Sequence, residues 1–342
     1  MTIENFDIPS STPLAMLTLL NIQGIGGISV VKLCKKFKNL NEIISSSPTE
    51  LKKIVKSNAL DNLSKTENWR RSYSKASRTI ETAEKLDVRT ITFLQDDYPY
   101  LLGLIDDKPP VLFVKGELNQ GNNSVACVGT REPSEYGVEV TKRLVQVLAK
   151  NGFSIVSGLA LGVDSISHQE TLELKKHTVA VLANGLNNIY PKENRRLAEE
   201  IIEKGGALIS EQQFDTPATI GNLVNRDRIQ SGLSIATFVM QTGIEGGSMN
   251  TVRFSLLQGR RVYVPVPPEH YRDQPESEGI VFLMENKGYQ LSSDIKAKGK
   301  YKKLLNGEYS YKYIVRKIHG REDYPNLLNE LEDLAIDLKG NN

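Results

Sequence analysis

A set of loops rich in glycine, hydroxyl side chains and arginine carries the chemistry most visible in this chain. They read "GTREPSEYG" from Gly129, "SGLALGVDSISH" from Ser157, "ANGLNNIYPKEN" from Ala183, "SEQQ" from Ser210 and "QTGIEGGSMNT" from Gln241. Glycine lets a backbone approach a ligand closely, and the N-terminus of a following helix offers unpaired amides to an anion. On that chemistry Gly129, Thr130, Ser157, Gly158, Gly185, Gly247 and Ser248 are candidate anion contacts. Arg131 adds a guanidinium, which grips phosphate through two parallel hydrogen bonds. Arg226 and Arg228 in "NLVNRDRIQSGLS" form a second basic element. Both stand at the start of a predicted helix, where side chains two apart diverge, so at most one is expected to share the ligand of Arg131 while the other pairs locally, with Asp227 at hand; a surface salt-bridge pair is the competing reading.

Enzyme chemistry finds fewer candidates. Asp164 and His168 stand four apart, which places them on one helical face as an acid/base pair. The competing reading has Asp164 capping its helix and His168 packed behind it. No GxxxxGKS phosphate loop occurs, and no GxGxxG fingerprint follows the "VACVG" run, so neither P-loop hydrolysis nor dinucleotide binding is supported. Cys34 and Cys127 lie far apart without a CxxC pair, and the four histidines show no ligand spacing. No structural zinc or other metal site and no disulfide framework are therefore expected, and Cys127 reads as a small buried hydrophobe.

The elements that position these loops follow from hydrophobic periodicity. Strand-like runs at 124–128, 153–156, 178–183, 206–209, 234–240 and 261–265 alternate with helix-length amphipathic segments. In the first of those segments Val140, Leu144, Val147 and Leu148 mark one buried face. Alternation of this length predicts an α/β, Rossmann-like, mostly parallel sheet with helices on both faces, and ligands in such sheets sit beyond the C-terminal strand ends. Two shorter β-rich runs, 90–94 and 111–115, precede the alternating region, and a helix is expected near 74–86.

Residues 14–56 read as helical, and "NIQGIGGISVVKLCKKF" sets a Gly-Ile-Gly turn between two apolar helices. That is the pattern of a helix-hairpin-helix, in which turn amides near Gly24 and Gly26, with Lys32 close by, meet a DNA phosphate; a plain αα-hairpin or a protein-docking domain fits equally. The chain thus divides into a small all-helical domain over 1–75, a Rossmann-like core over 76–295 and an appendage over 296–342.

Net charge is only +2, with 39% hydrophobic and 25% charged residues, as in ordinary globular proteins. Its distribution is uneven. Residues 32–78 hold twelve Lys/Arg against four Asp/Glu, residues 296–321 nine against one, and residues 322–342 reverse to six acids and one lysine. Basic segments of this kind permit polyanion contact, although solvated helix faces explain them as well. No apolar run reaches the roughly 20 residues of a membrane span, and "MTIENFDIPSSTP" lacks the form of a signal peptide, so a cytoplasmic location is expected.

Taken in order, these segments resemble the DNA-processing protein A (DprA/Smf) family. The resemblance rests on "DDYPYLLGLIDDKPPVLFVKGEL", "VGTREPSEYG", "IVSGLALGVDSISHQETL", "TVAVLANGLNNIYPKENRRL", "GGALISE", "NRDRIQSGLS", "GGSMNT" and "GIVFLMENKGYQLSSDI", and covers about residues 14–295. It implies a non-catalytic, dimeric protein without a cofactor that binds single-stranded DNA, protects incoming strands in natural transformation and helps load a RecA-type recombinase. Carried over by motif, Gly129, Thr130, Arg131, Ser157, Gly158, Arg226, Arg228, Gly247 and Ser248 form its phosphate and base pocket.

The chain departs from the family pattern at several of these places. Leu223 and Val224 stand where the family has phenylalanine and proline, Asp227 replaces the asparagine of its RNR element, Gln241 replaces an acid, and Val266 a glycine. Loss of the phenylalanine removes a stacking face, and Asp227 would set a negative charge beside the strand path. A rival of another class is a nucleotide sensor or hydrolase of the related lysine-decarboxylase-like group. Its PGGxGTxxE loop has Arg253 here in place of the catalytic glutamate.

Overall fold

The computed structural model describes residues 6–118 and 123–340. Nine strands form one sheet: β1 (Arg89–Thr92), β2 (Val111–Gly116), β3 (Ser124–Val128), β4 (Ser154–Ser157), β5 (Thr178–Val181), β6 (Ala207–Ser210), β7 (Ala236–Val239), β8 (Arg261–Pro265) and β9 (Arg316–Ile318). Their spatial order is β1-β2-β6-β5-β4-β3-β7-β8-β9. From β6 to β9 every pairing is parallel, whereas β2 runs antiparallel to both β1 and β6. The chain winds from β3 outward to β6, then returns to the other side of β3 with β7. Strand order therefore reverses between β3 and β7, which opens a crevice at their carboxyl ends.

Burial on both faces explains the sequence of the central strands. Every residue of β3 through β7 is buried, so these strands are continuous apolar runs rather than alternating ones. The helix Glu135–Lys150 seats Val140, Leu144, Val145 and Leu148 on one face of the sheet. Each such side chain contributes roughly 1.5–3 kcal/mol of burial.

Three expectations about boundaries change. The helix foreseen at 74–86 begins at Thr66 and runs to Lys85, across the domain boundary placed at 75. Its charged stretch hides a buried stripe of Trp69, Ser72, Ala76, Thr79 and Ala83, with Trp69 Nε1 donating to Leu63 O at 2.7 Å. One apolar cluster runs from Phe6, Leu17 and Trp69 through Phe113 to Leu182 and Leu208, so the N-terminal helices share their core with the sheet. The segment 296–342 is likewise woven in: β9 extends the sheet beside β8, and Leu327, Leu331 and Ala335 of the helix Tyr324–Gly340 pack with Val145 and Leu148. The residues at 341–342 lie outside those described. No helix among the described residues is long and apolar enough to cross a membrane.

Candidate nucleic-acid interface

The loop after β3 is held on all sides. An added Cβ at Gly129 would lie 2.5 Å from the Val163 side chain and 2.8 Å from Gln241 O, so this glycine serves close packing. Thr130 N–H donates to Gln241 O at 2.8 Å, its carbonyl accepts from Val163 N–H at 3.1 Å, and its hydroxyl accepts from Glu132 N–H at 3.2 Å. The Gln241 side chain closes the frame: Oε1 accepts from Ser134 N–H at 3.0 Å, while Nε2 donates to Ser134 Oγ and Ser277 Oγ, both at 2.9 Å. Beneath the loop Gly162 adopts φ 74°, and a Cβ there would strike Arg131 O at 2.4 Å. The Arg131 backbone is thereby clamped while its side chain stays exposed, with no carboxylate at ion-pair distance among the described residues.

The loop after β4 supplies the floor. Ser157 is buried, and its Oγ donates to Cys127 O at 2.6 Å, so its hydroxyl is spent inside the fold. Arg226 lies in the middle of the helix Ile220–Gly232, not at its start, and is 7% exposed. Its Nη1 donates to Gly158 O and, at 2.6 Å, to Val181 O, while Nε lies 3.3 Å from Asp227 Oδ1. Asp164 Oδ2 accepts from the N–H groups of Gly158 and Ala160 at 3.1 and 3.2 Å and so shapes the turn. Gly162, not Asp164, is the N-cap of its helix. His168 is buried with Nδ1 2.7 Å from Thr178 Oγ1, so the acid/base pair does not assemble. Burial lowers the His168 pKa to about 3 and leaves the ring neutral.

The electrostatics of this floor are unusual. Burial raises the Asp227 carboxyl to about 7, opposed by Arg226 and Arg253 and reinforced by Asp164, whose own carboxyl is raised by burial against the pull of Arg226. Asp227 does border the groove, but it is 8% exposed and tucked against Arg226 as a buried partner. Burial also raises both thiols, Cys34 to about 12.

Above this floor runs a groove of about 630 Å³ lined by Gly129, Thr130, Arg131, Arg226, Gly247 and Ser248 among others. It continues past Arg131 into a cleft of about 350 Å³ bordered by Leu161, Tyr190, Lys192 and Leu223. Gly247 is open, with nothing within 4 Å of an added Cβ, and heads the helix Ser248–Leu257 at the far wall. Leu223 stands between the two compartments, and Tyr190 is 46% exposed on their shared rim. Tyr190, Lys192 and Asn250 were not singled out from sequence. The loop "ANGLNNIYPKEN" was, and a tyrosine within a ligand loop was the available signal.

Three predicted elements lie elsewhere. Gly185 is packed against Gln213 O and Phe214 Cα, at 2.6 and 2.8 Å from an added Cβ, and is absent from the groove lining. Arg228 turns away from Arg131: Nη1 and Nη2 donate to Glu211 Oε1 and Oε2 at 2.8 and 2.6 Å, and Nε donates to Asp107 O at 3.1 Å. It borders a separate cleft of about 470 Å³ with Gly27, Ile28 and Lys75. The hairpin turn of Gly24 and Gly26 rests on the helix Ser57–Leu63, where Asn62 Nδ2 donates to Gln23 O at 3.0 Å. Gly24, Gly26 and Lys32 are exposed but remote from the Arg131 groove lining.

A mostly parallel sheet wound both ways from β3, with its groove at the reversal point, defines a Rossmann-like α/β protein. The chain belongs to the DNA recombination-mediator protein A family, whose profile matches residues 89–298. It is 40% identical over 189 residues to Protein Smf of Escherichia coli K12, covering 55% of this chain and 50% of the relative. It is 36% identical over 193 residues to DNA processing protein DprA of Bacillus subtilis 168, covering 56% and 65%. The chain thus spans about half the length of the first of these relatives. The structure matches DNA processing protein A of Streptococcus pneumoniae with a TM-score of 0.64 at 23% identity, over 87% of this chain and 98% of that one. It also matches DNA processing protein A of Helicobacter pylori, described by its single-stranded DNA binding mode, with a TM-score of 0.55 at 26% identity, over 72% and 96%.

Proposed function

We propose that this protein binds single-stranded DNA along the groove between the β3 and β7 loops and, as a non-catalytic dimer in the cytoplasm, helps load a RecA-type recombinase in transformation or recombination. The observation that carries the reading is Arg131: an exposed, unpaired guanidinium on a clamped loop, at the reversal point of the sheet. Such a group meets a backbone phosphate without first breaking a partner. The open backbone at Gly247 and Ser248 offers a second phosphate position, and Tyr190, Leu223 and the 83% exposed Ile220 present an apolar wall for bases. Kinship with the Helicobacter pylori protein supports the ligand class.

The groove reading is tested by an anisotropy titration of Arg131→Ala with labelled single-stranded DNA over a range of salt. Loss of one phosphate contact makes the slope of log K against log salt shallower by about 0.7. Weakening should be uniform across sequences. Unchanged affinity and slope would remove Arg131 from the interface. Adding RecA to the DNA-bound protein, and following filament growth on strands precoated with single-strand-binding protein, tests the partner; no acceleration would confine the role to binding.

A further inference from the structure

We propose a second contact for single-stranded nucleic acid, built from Tyr311, Lys312 and Tyr313 on the turn that precedes β9, Lys317 within β9 and Tyr289 of the helix Gly288–Asp294. The three rings are 46%, 81% and 51% exposed, an unusual outlay of aromatic surface. Tyr289 and Tyr311 stand with centroids 5.8 Å apart, and Lys317 Nζ lies 5.4 Å from the Tyr313 ring. Lys312 and Lys317 are exposed, and no carboxylate lies at ion-pair distance from either among the described residues. Exposed rings beside unpaired cations are the chemistry that stacks bases and tracks a phosphate backbone.

The turn is fixed rather than loose. Gly288 N–H donates to Tyr309 O and Lys312 O, both at 3.1 Å, and Tyr289 N–H donates to Ser310 O at 3.2 Å. A Cβ at Gly288 would fall 2.4 Å from Tyr309 O, so a glycine is needed for this close approach. Lys287 and Tyr313 are joined by an isolated antiparallel bridge. Rings held on such a frame lose little freedom on meeting a base.

The site is separate from the Arg131 groove. β9 is the edge strand beside β8, and none of the five patch residues lines the Arg131 groove or the cleft that continues it. A strand that occupies both must reach beyond the groove to this edge, which requires a longer oligonucleotide than the groove alone. The basic stretch 296–321, with nine Lys/Arg and one acid, favours a polyanion over a protein partner of neutral charge.

The test compares the full chain with Tyr311→Ala/Tyr313→Ala and, separately, Lys312→Gln/Lys317→Gln, on a short oligonucleotide that fills the groove and a long one. The expected result is roughly ten-fold weaker binding of the long strand by the tyrosine pair variant, with the short strand unaffected. The lysine variant should make the long-strand salt slope shallower by about 1.4. The same losses should appear in an Arg131→Ala background, which separates failure of this site from failure of the groove. Photocrosslinking of a long strand carrying halogenated bases should label the peptide that spans Tyr311 and Tyr313. Equal affinity, equal slope and no crosslink would overturn the proposal. So would sedimentation showing that either variant breaks a dimer that covers the rings, or binding of anionic vesicles in place of DNA.

Discussion

The guanidinium of Arg226 lies directly on Gly158: its Nη1 donates to Gly158 O, and a Cβ added at that glycine would sit 1.9 Å from the same atom. The loop after β4 and the last residue of β5 are thus tied by one buried cation, since Val181 O accepts from it as well. Asp227 lies beside it, with Oδ1 3.3 Å from Nε. The floor of the groove is therefore one cooperative unit, in which backbone shape and electrostatics fail together.

Gly158→Ala tests that unit. The new methyl must displace Arg226 from its carbonyls and leave a buried guanidinium without them, a loss of about 3–5 kcal/mol. Urea denaturation should show the shift in midpoint, and single-stranded DNA binding should fall with it. Gly247→Ala is the control, because open space surrounds that position, and its stability should stay within about 0.5 kcal/mol of the parent.

Asp227 makes stability depend on pH. Its carboxyl is raised from 3.8 to about 7 in the folded protein, so the folded state holds a proton that the unfolded chain has released. Folding therefore loses stability as pH rises from about 4 to about 7, and the full penalty persists above. Asp227→Asn removes the titration. The variant should melt at a higher temperature than the parent near pH 8 and match it near pH 4, measured by calorimetry across that range. A constant offset at every pH would mean that Asp227 does not titrate there.

The alternating core was legible because every strand from β3 to β7 is buried and each is followed by a helix, of which Glu135–Lys150 and Arg195–Glu203 carry clear apolar stripes. The place of Arg131 on the loop after β3 was legible too, since a strand, a glycine and a guanidinium are local signals. Partner choice was not. Arg226 and Arg228 differ by two positions on one helix, yet one is bound to Gly158 and Val181, 68 and 45 residues away, while the other is held by Glu211, 17 residues away. The same holds for Ser157, whose hydroxyl is consumed by Cys127 O of the neighbouring strand. The boundary at 75 failed because charge in "TENWRRSYSK" masks the stripe through Trp69 and Ala76.

Arg228 distinguishes structure from binding. Its forked pairing with Glu211 is largely buried, so Arg228→Ala should destabilise the fold by about 3 kcal/mol, and Glu211→Gln by less. Binding of single-stranded DNA at a temperature where the variant remains folded should be unchanged, because Arg228 faces the cleft with Lys75 and not the Arg131 groove. Denaturation curves paired with anisotropy titrations on the same samples check both halves. Loss of affinity in a folded Arg228→Ala protein would extend the interface to that cleft.

On the proposed DNA path, Tyr190 and Leu223 are the side chains placed to meet bases. Tyr190 is the exposed ring on the rim that Leu223 shares, so Tyr190→Ala should cost about 1–3 kcal/mol per stacked base while Tyr190→Phe keeps the affinity. Leu223→Phe restores an aromatic face at the junction of the two compartments, and tighter binding by roughly five-fold is expected from about 1 kcal/mol of added stacking. Titrations with abasic and normal strands separate the effects: ring substitutions should matter only where a base is present, whereas Arg131→Ala should weaken both strands alike. If Tyr190→Ala weakens abasic and normal strands equally, the tyrosine supports the loop rather than a base.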